Sequence, residues 1–515
     1  MSKLSRLHEH LVAKPDERRI FALGLGMLLL AMASVIYILG QPTIGLSIFG
    51  VTVVAMAFLL TDRDAGTVTT AFLVTLLLLP SRFVIGPLGA IGTPAKLIAI
   101  AGLIWWLGTR LDPELGGDHG SQPMRIALLA YLWWSLLAFS TAFVRPLSEV
   151  EASSATRTLI EVVALTGLAL LVADGVAERS RLDVLLRRMV ALVGITAAFG
   201  LLQFAGFDPV QYLRIPGLSV NLQFQTVAER SQLPRVSGTA IHAIEFGVLL
   251  AVAAPFALHY AFYGPRRIAA GIWCVLILAA VPTAVSRSAV VVLAISLGIL
   301  ALKWSWNRRL WLLVASLVFM LVARAAAPGL LGTLRALFLW WGADDSIEGR
   351  TKDYLPIYNY VSDSPVFGRG LGTFEPSEYF FLDNEWLMAA VTSGVPGVLF
   401  LLALFVVGLS LARGVRRRTL EESTAHLSQV FLGVIAGFAV AFGTYDALSF
   451  NITAGLFFFI LGAVGAFWRL EVGSWMYRRD PETYRLMPER RGFLQSRVAP
   501  VPRATEAGGR TQHEA

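Results

Sequence analysis

A small set of polar residues in this chain has the types and spacing for chemistry on a charged substrate. Arg235 and His242 lie near one another in sequence, and Glu245 falls one helical turn beyond His242. Arg287 stands in the corner Ser286-Arg287-Ser288; Arg350, Lys352 and Arg369 follow, then Asp383, Glu385 and Asp446. Converging guanidinium groups repel unless an anion joins them, and their planar fork matches phosphate oxygens two at a time. Arg235, Arg287 and Arg350 are therefore the expected phosphate-binding set, with Arg369 and His242 as further contacts. A base that takes a proton from a hydroxyl must sit partly desolvated beside such a cluster, and Asp383 and Glu245 are the candidates. The alternatives are plain: each arginine snorkels to an interface or pairs with a carboxylate, and Glu245 with His242 makes an interhelical hydrogen bond that holds the structure together.

Two further motifs have low specificity. The run Gly368-Arg369-Gly370-Leu371-Gly372 permits close backbone approach to a phosphate, but no strand-then-helix context supports a nucleotide fold. Asp344, Asp345 and Glu348 offer hard oxygen ligands for a divalent ion, although a solvated loop is the simpler expectation. Cysteine occurs once, at Cys274 in an apolar run, which excludes a disulfide framework and a cysteine-based metal site.

The elements that must position these residues are membrane spans. The 515 residues are 56% hydrophobic and only 15% charged, with a mean hydropathy of +0.65, which sets the chain among membrane proteins. An all-α, polytopic transmembrane bundle is expected. About fourteen apolar runs approach the length of a bilayer crossing, with twelve or thirteen also compatible. They centre on 20–39, 43–60, 68–86, 94–108, 126–143, 158–173, 190–205, 241–262, 268–285, 289–302, 310–322, 386–411, 427–442 and 453–468. The run from Ile20 is longer than a signal-peptide core and reads as a retained anchor.

Placing the N-terminus inside puts about thirty of the 43 Lys and Arg residues in cytoplasmic segments, so N-in and C-in is expected. The net charge of +8 is then mostly this bias plus a basic tail near anionic lipid, with no nucleic-acid partner implied. The chain divides into an N-tail (1–19), helices over 20–205, an outer loop at 206–240, helices over 241–322, a long outer loop at 323–385, helices over 386–468 and a basic, disordered cytoplasmic tail at 469–515. The long outer loop joins the eleventh and twelfth spans, and the residues capable of chemistry gather on that outer side. No internal repeat is visible, which disfavours transporter folds built from duplicated halves.

With those residues placed, the stretch from Gly349 to Gly397 resembles the signature of the O-antigen ligase and polymerase family. The resemblance rests on Gly349-Arg350, Tyr354, Pro365, the glycine run from Gly368 to Phe374, the polar pair Asp383-Asn384 and the pair Gly394 and Gly397. Arg235-Val236-Ser237-Gly238-Thr239 and Ser286-Arg287-Ser288-Ala289 look like two further landmarks, so the likeness covers roughly residues 230–400.

The resemblance implies a glycosyltransferase on the outer face of the bacterial inner membrane. Its donor would be a polyprenyl-diphosphate-linked glycan and its acceptor a glycan or lipid, with membrane lipids and other polysaccharide-assembly proteins as further partners. It also implies that Arg235, Arg287 and Arg350 hold the diphosphate as leaving group, that transfer proceeds with inversion, and that no cofactor or metal is needed. Ligases of the family usually carry His before the Asn of the polar pair. Asp383 stands there instead, which favours a polymerase over a ligase. The alternative from another class is a transporter or flippase for a lipid-linked or anionic substrate. Transporters more often place charges near the midplane, whereas these spans have nearly empty centres and one decorated face.

Overall fold

The computed structural model describes residues 65–85, 92–111, 121–213, 215, 218–220, 229–230, 233–326, 329 and 354–479. The expected spans at 20–39 and 43–60 lie outside the described residues, as do Arg350, Lys352, the acidic run at 344–348 and most of the C-terminal tail.

Every expected span from 68–86 onward overlaps a helix, the first of them only as far as Leu78, after which the chain turns into the short strand Phe83–Val84. In order these are α1 (Ala65–Leu78), α2 (Pro94–Leu111), α3 (Pro123–Ala142), α4 (Glu149–Gly175), α5 (Arg179–Phe204), α6 (Ala243–Tyr263), α7 (Arg267–Ala280), α8 (Arg287–Ala301) and α9 (Trp306–Ala326). After α10 (Tyr354–Asp363) come α11 (Glu385–Arg418), α12 (Glu422–Phe442) and α13 (Asn451–Arg479). Among the described residues, eight helices are long and apolar enough to cross a membrane, and two shorter apolar helices, α1 and α8, pack with them. A helix meets the bilayer's demand because it satisfies its backbone polar groups within one segment. The few strands are two-residue pairings in loops, Phe83–Val84 with Ser219–Val220 and Glu229–Arg230 with Leu233–Pro234.

The centre of the bundle is set by burial. The spanning window of α13 is 89% buried and that of α6 is 78%, so these two form the core and the others wrap them. Small residues let the helices close up where apolar area gives no drive between them. On α12, Gly433 and Gly437 face α8 so closely that an added Cβ would stand 2.4 Å from the Ser296 carbonyl oxygen and 2.4 Å from its Oγ.

Basic side chains crowd the end of the bundle opposite the starts of α6, α8 and α11. There Arg110 and Arg125 meet Asp174, with Arg125 at 3.1 Å, and Arg179 meets Asp183 at 2.6 Å and Glu471 at 3.1 Å. The tail begins later than position 469. Helix α13 runs on to Arg479, and Arg469, only 5% exposed, donates through Nε to the Ala173 carbonyl at 3.0 Å. A guanidinium at the carbonyl-rich end of α4 is favourably placed against that helix's dipole.

The described part of the long loop from 354 onward is also more structured than its sequence suggests. It contains α10, which shares a small apolar cluster of Ile357, Phe374, Leu382 and Val391 with the loop and α11. A polar clasp fixes it to the α3–α4 corner. Glu151, part of the capping box that Ser148 makes at the start of α4, accepts from Arg145 Nη2 at 2.7 Å and Nη1 at 3.1 Å. It also accepts from the Tyr379 hydroxyl at 2.6 Å.

Candidate active site

Helix α11 is broken where the loop packs on it. Gly394 has φ +69°, a conformation that L side chains rarely adopt, and the backbone leaves helical geometry there. The break leaves carbonyls without helical partners, which must be satisfied from outside. The loop and α3 do this: Arg369 N–H donates to Val391 O at 2.8 Å and Gly370 N–H to Thr392 O at 3.1 Å, while Trp134 Nε1–H donates to Ser393 O at 2.9 Å. Gly370 (φ +111°) approaches α3 so closely that a Cβ would stand 2.2 Å from that of Ala142. The glycine run thus earns its close approaches against helices, not against a phosphate.

This packing walls a cavity of about 670 Å³. Arg235, His242, Arg287 and Asp383 line it together, as do Asp446, Glu385, Glu375 and Glu161. The sequence separates these residues widely; the bundle brings them to one end, where Glu385 N–H reaches Tyr445 O at 3.2 Å and Glu245 Oε1 accepts from Ile452 N–H at 2.7 Å.

Each charged group is held locally. Arg235 donates through Nε to the Ala284 carbonyl at 3.4 Å. Arg287 opens α8 behind Ser286, whose hydroxyl accepts from Ala289 N–H at 3.4 Å. Just before it, Val285 has φ +44°, the single non-glycine positive φ among the described residues. A β-branched residue there is strained, and such strain persists only where surrounding packing over-determines it; Val285 is fully buried. It turns the chain from α7 into the Ser286-Arg287-Ser288 corner.

His242 caps α6, with Nδ1 accepting from Ile244 N–H at 3.2 Å. Burial, reinforced by Arg235 and opposed by Asp383, lowers its pKa to about 4. The ring is therefore neutral near pH 7 and carries its proton on Nε2. Burial, together with the carboxylate of Asp383, pushes Asp446 up to about 7.

Two expected site residues are not brought into the cavity. Glu245 is fully buried, and its other oxygen accepts from Ile241 N–H at 3.0 Å. Its carboxylate therefore ties the start of α6 to that of α13, while His242 caps its own helix and does not join that tie. Arg369 lies in the clasp, donating to the Tyr379 hydroxyl at 2.6 Å with its guanidinium carbon 4.9 Å and 5.0 Å from the ring centres of Tyr379 and Tyr360. Conversely, Glu161 on α4 and Glu375 in the loop carried no signal in the sequence, because only packing brings them to the cavity. Asp446 and Glu385 were visible as residues of the same outer side.

No curated protein matches the sequence. Residues 272–402 match a family model described as O-Antigen ligase. The matched segment contains the Arg287 corner, the glycine run, Asp383 and Glu385, all at the cavity end of the bundle, and over these residues the chain is similar to that family.

Proposed function

We propose that the chain transfers or polymerises polyprenyl-diphosphate-linked glycan units on the outer face of the bacterial inner membrane during surface polysaccharide assembly, with polymerisation favoured over ligation. The observation that carries this reading is the sharing of one cavity by Arg235, Arg287, His242, Asp383 and Asp446. The basic side chains at the opposite end of the bundle support a cytoplasmic assignment for that end.

In this reading the donor diphosphate lies against Arg235 and Arg287, and the Nε2–H of His242 adds a neutral donor. An acceptor hydroxyl attacks the anomeric carbon from the opposite face. As the new carbon–oxygen bond forms, the bond to the diphosphate oxygen breaks and takes its electron pair with it. The hydroxyl proton passes to the side chain of Asp383, with Asp446 beside it. Fixed guanidinium charge then stabilises the departing diphosphate where charge develops, the part a divalent ion plays in other transferases of this chemistry.

The test is genetic and chemical. Deleting the gene and rescuing with Arg235→Ala, Arg287→Ala or Asp383→Asn, followed by analysis of lipid-linked intermediates, separates the outcomes. Accumulated single repeat units support a polymerase, and accumulated long lipid-linked chains support a ligase. Full rescue by all three variants would remove the site assignment.

A further inference from the structure

Asp383 and Asp446 line one cavity from different parts of the chain. The first stands just before α11 and the second in the turn between α12 and α13. A row of hydrogen bonds from the start of α11 brings the two segments together. Asn384 Nδ2 donates to Gly443 O at 3.4 Å, Glu385 N–H to Tyr445 O at 3.2 Å, and Trp386 Nε1–H to Ala439 O at 3.1 Å. In the other direction, Glu385 Oε2 accepts from Leu448 N–H at 2.9 Å.

Glu385 therefore grips the turn on both sides of Asp446, at Tyr445 through its backbone and at Leu448 through its side chain. It is only 5% exposed, so the grip is shielded from competing water. The far end of the same turn is held separately, by Glu245 of α6 through Ile452 N–H. Loss of the Glu385 side chain would thus free the end that carries Asp446 while the end at α13 stays anchored. The bond to Leu448 needs an accepting oxygen and no charge, so a carboxyl, carboxylate or carboxamide group can make it.

We propose that Glu385 is a positioning residue, which sets the distance and direction of Asp446 from Asp383 by gripping the turn between α12 and α13. The catalytic consequence rests on the transferase reading above, in which Asp383 takes the acceptor proton with Asp446 beside it. A displacement of about 1 Å in such a pair costs up to about 10²-fold in rate.

Three substitutions and a control test this. Glu385→Leu fills the space but cannot accept, leaving Leu448 N–H unmatched, whereas Glu385→Gln keeps the accepting oxygen. Glu385→Asp draws the acceptor back by one methylene; it should show the leucine effects on a smaller scale, and it replaces the leucine variant if that does not fold. The control, Gln429→Leu, removes a 2.7 Å bond from α12 to Ile299 O, away from the cavity. Hydrogen–deuterium exchange of the full chain in nanodiscs reads the grip. Residues 443–450 should exchange at least about tenfold faster in Glu385→Leu than in the parent, and within about twofold of it in Glu385→Gln and Gln429→Leu. Transfer is read with lipid-linked glycan extracted from a strain lacking the gene, and turnover is expressed per folded protein as counted by geranyl diphosphate binding. Glu385→Leu should lower kcat by about 10–100-fold with KM within about twofold, and Glu385→Gln should stay within about threefold of the parent. Unchanged exchange in Glu385→Leu would overturn the grip. Faster exchange with parental turnover, or an equal loss in Gln429→Leu, would overturn the positioning role. A Glu385→Gln chain as inactive as Glu385→Leu would also overturn it, since the carboxyl would then take part in the chemistry itself. Absence of both turnover and geranyl diphosphate binding in the parent chain would remove the transferase reading and the catalytic consequence with it, while the exchange result still decides the grip.

Discussion

Replacing Asp446 with Asn should stabilise the protein, and more so in alkaline than in acidic solution. Burial and the Asp383 carboxylate raise the Asp446 carboxyl from 3.8 to about 7. A raised acid contributes no penalty below its unfolded pKa, and stability is then lost as pH rises towards the folded value, because the unfolded chain releases the proton and the folded one holds it. At about 1.4 kcal/mol per pH unit, the penalty is about 1.5 kcal/mol at pH 5 and about 4 kcal/mol at pH 8. Asn keeps the shape and an acceptor oxygen but does not ionise. The gain of Asp446→Asn over the parent chain should therefore be about 2.5 kcal/mol larger at pH 8 than at pH 5. Unfolding of the purified protein in detergent, followed by tryptophan fluorescence at both pH values with Asp446→Glu as a charged control, measures the difference. A gain equal at both pH values, or larger at pH 5, would refute the argument that Asp383 and burial hold this proton in place.

Other consequences separate chemistry from support. Arg235→Ala and Arg287→Ala should each lower transfer by about 10²–10³-fold, with lysine restoring part of the loss, since each removes a fixed donor from the leaving group; a loss below about twofold in a direct transfer assay argues against the diphosphate site. Glu245→Ala should cost about 1–3 kcal/mol of stability through the two backbone N–H groups it leaves unmatched, and a loss of activity at unchanged thermal stability would return Glu245 to the chemistry. Gly370→Ala should lower both stability and activity, because its Cβ meets Ala142 and its φ is strained. Ala142→Gly in the same chain should remove the 2.2 Å contact but leave the backbone Cα of position 142 at 2.7 Å and the strained φ, so thermal unfolding should show only slight rescue. Glu151→Gln should loosen the clasp that Arg145 and Tyr379 make, read as faster proteolysis of the loop following Gly372; unchanged cleavage would deny the clasp its role.

The fates of individual residues show why some of this was legible in one dimension. Arg235, His242, Arg287 and Asp383 were identified because polar groups in a strongly apolar chain are conspicuous, and the alternation of spans assigns each to one side of the bilayer. Glu245 obeyed the same signal but serves the backbone of α13, and no pattern in the chain distinguishes a carboxylate that caps a distant helix from one that faces a cavity. Arg369 likewise carries the right charge in the right loop, yet its position is decided by two tyrosine rings and Glu151. The glycine run announced close approach correctly; only packing identified α3 and α11 as what is approached.

The all-helical, membrane-spanning character of the bundle and the approximate placement of its apolar helices from residue 65 onward follow from the sequence itself, because hydrocarbon imposes one rule of length and polarity on every span. The break at Gly394, the strained turn at Val285, the packing of α10 on the segment that follows it and the meeting of Glu161, Glu375 and Glu385 in one cavity were decided by the tertiary structure. Each depends on contacts between segments far apart in the chain, whose energies no local pattern of residues encodes.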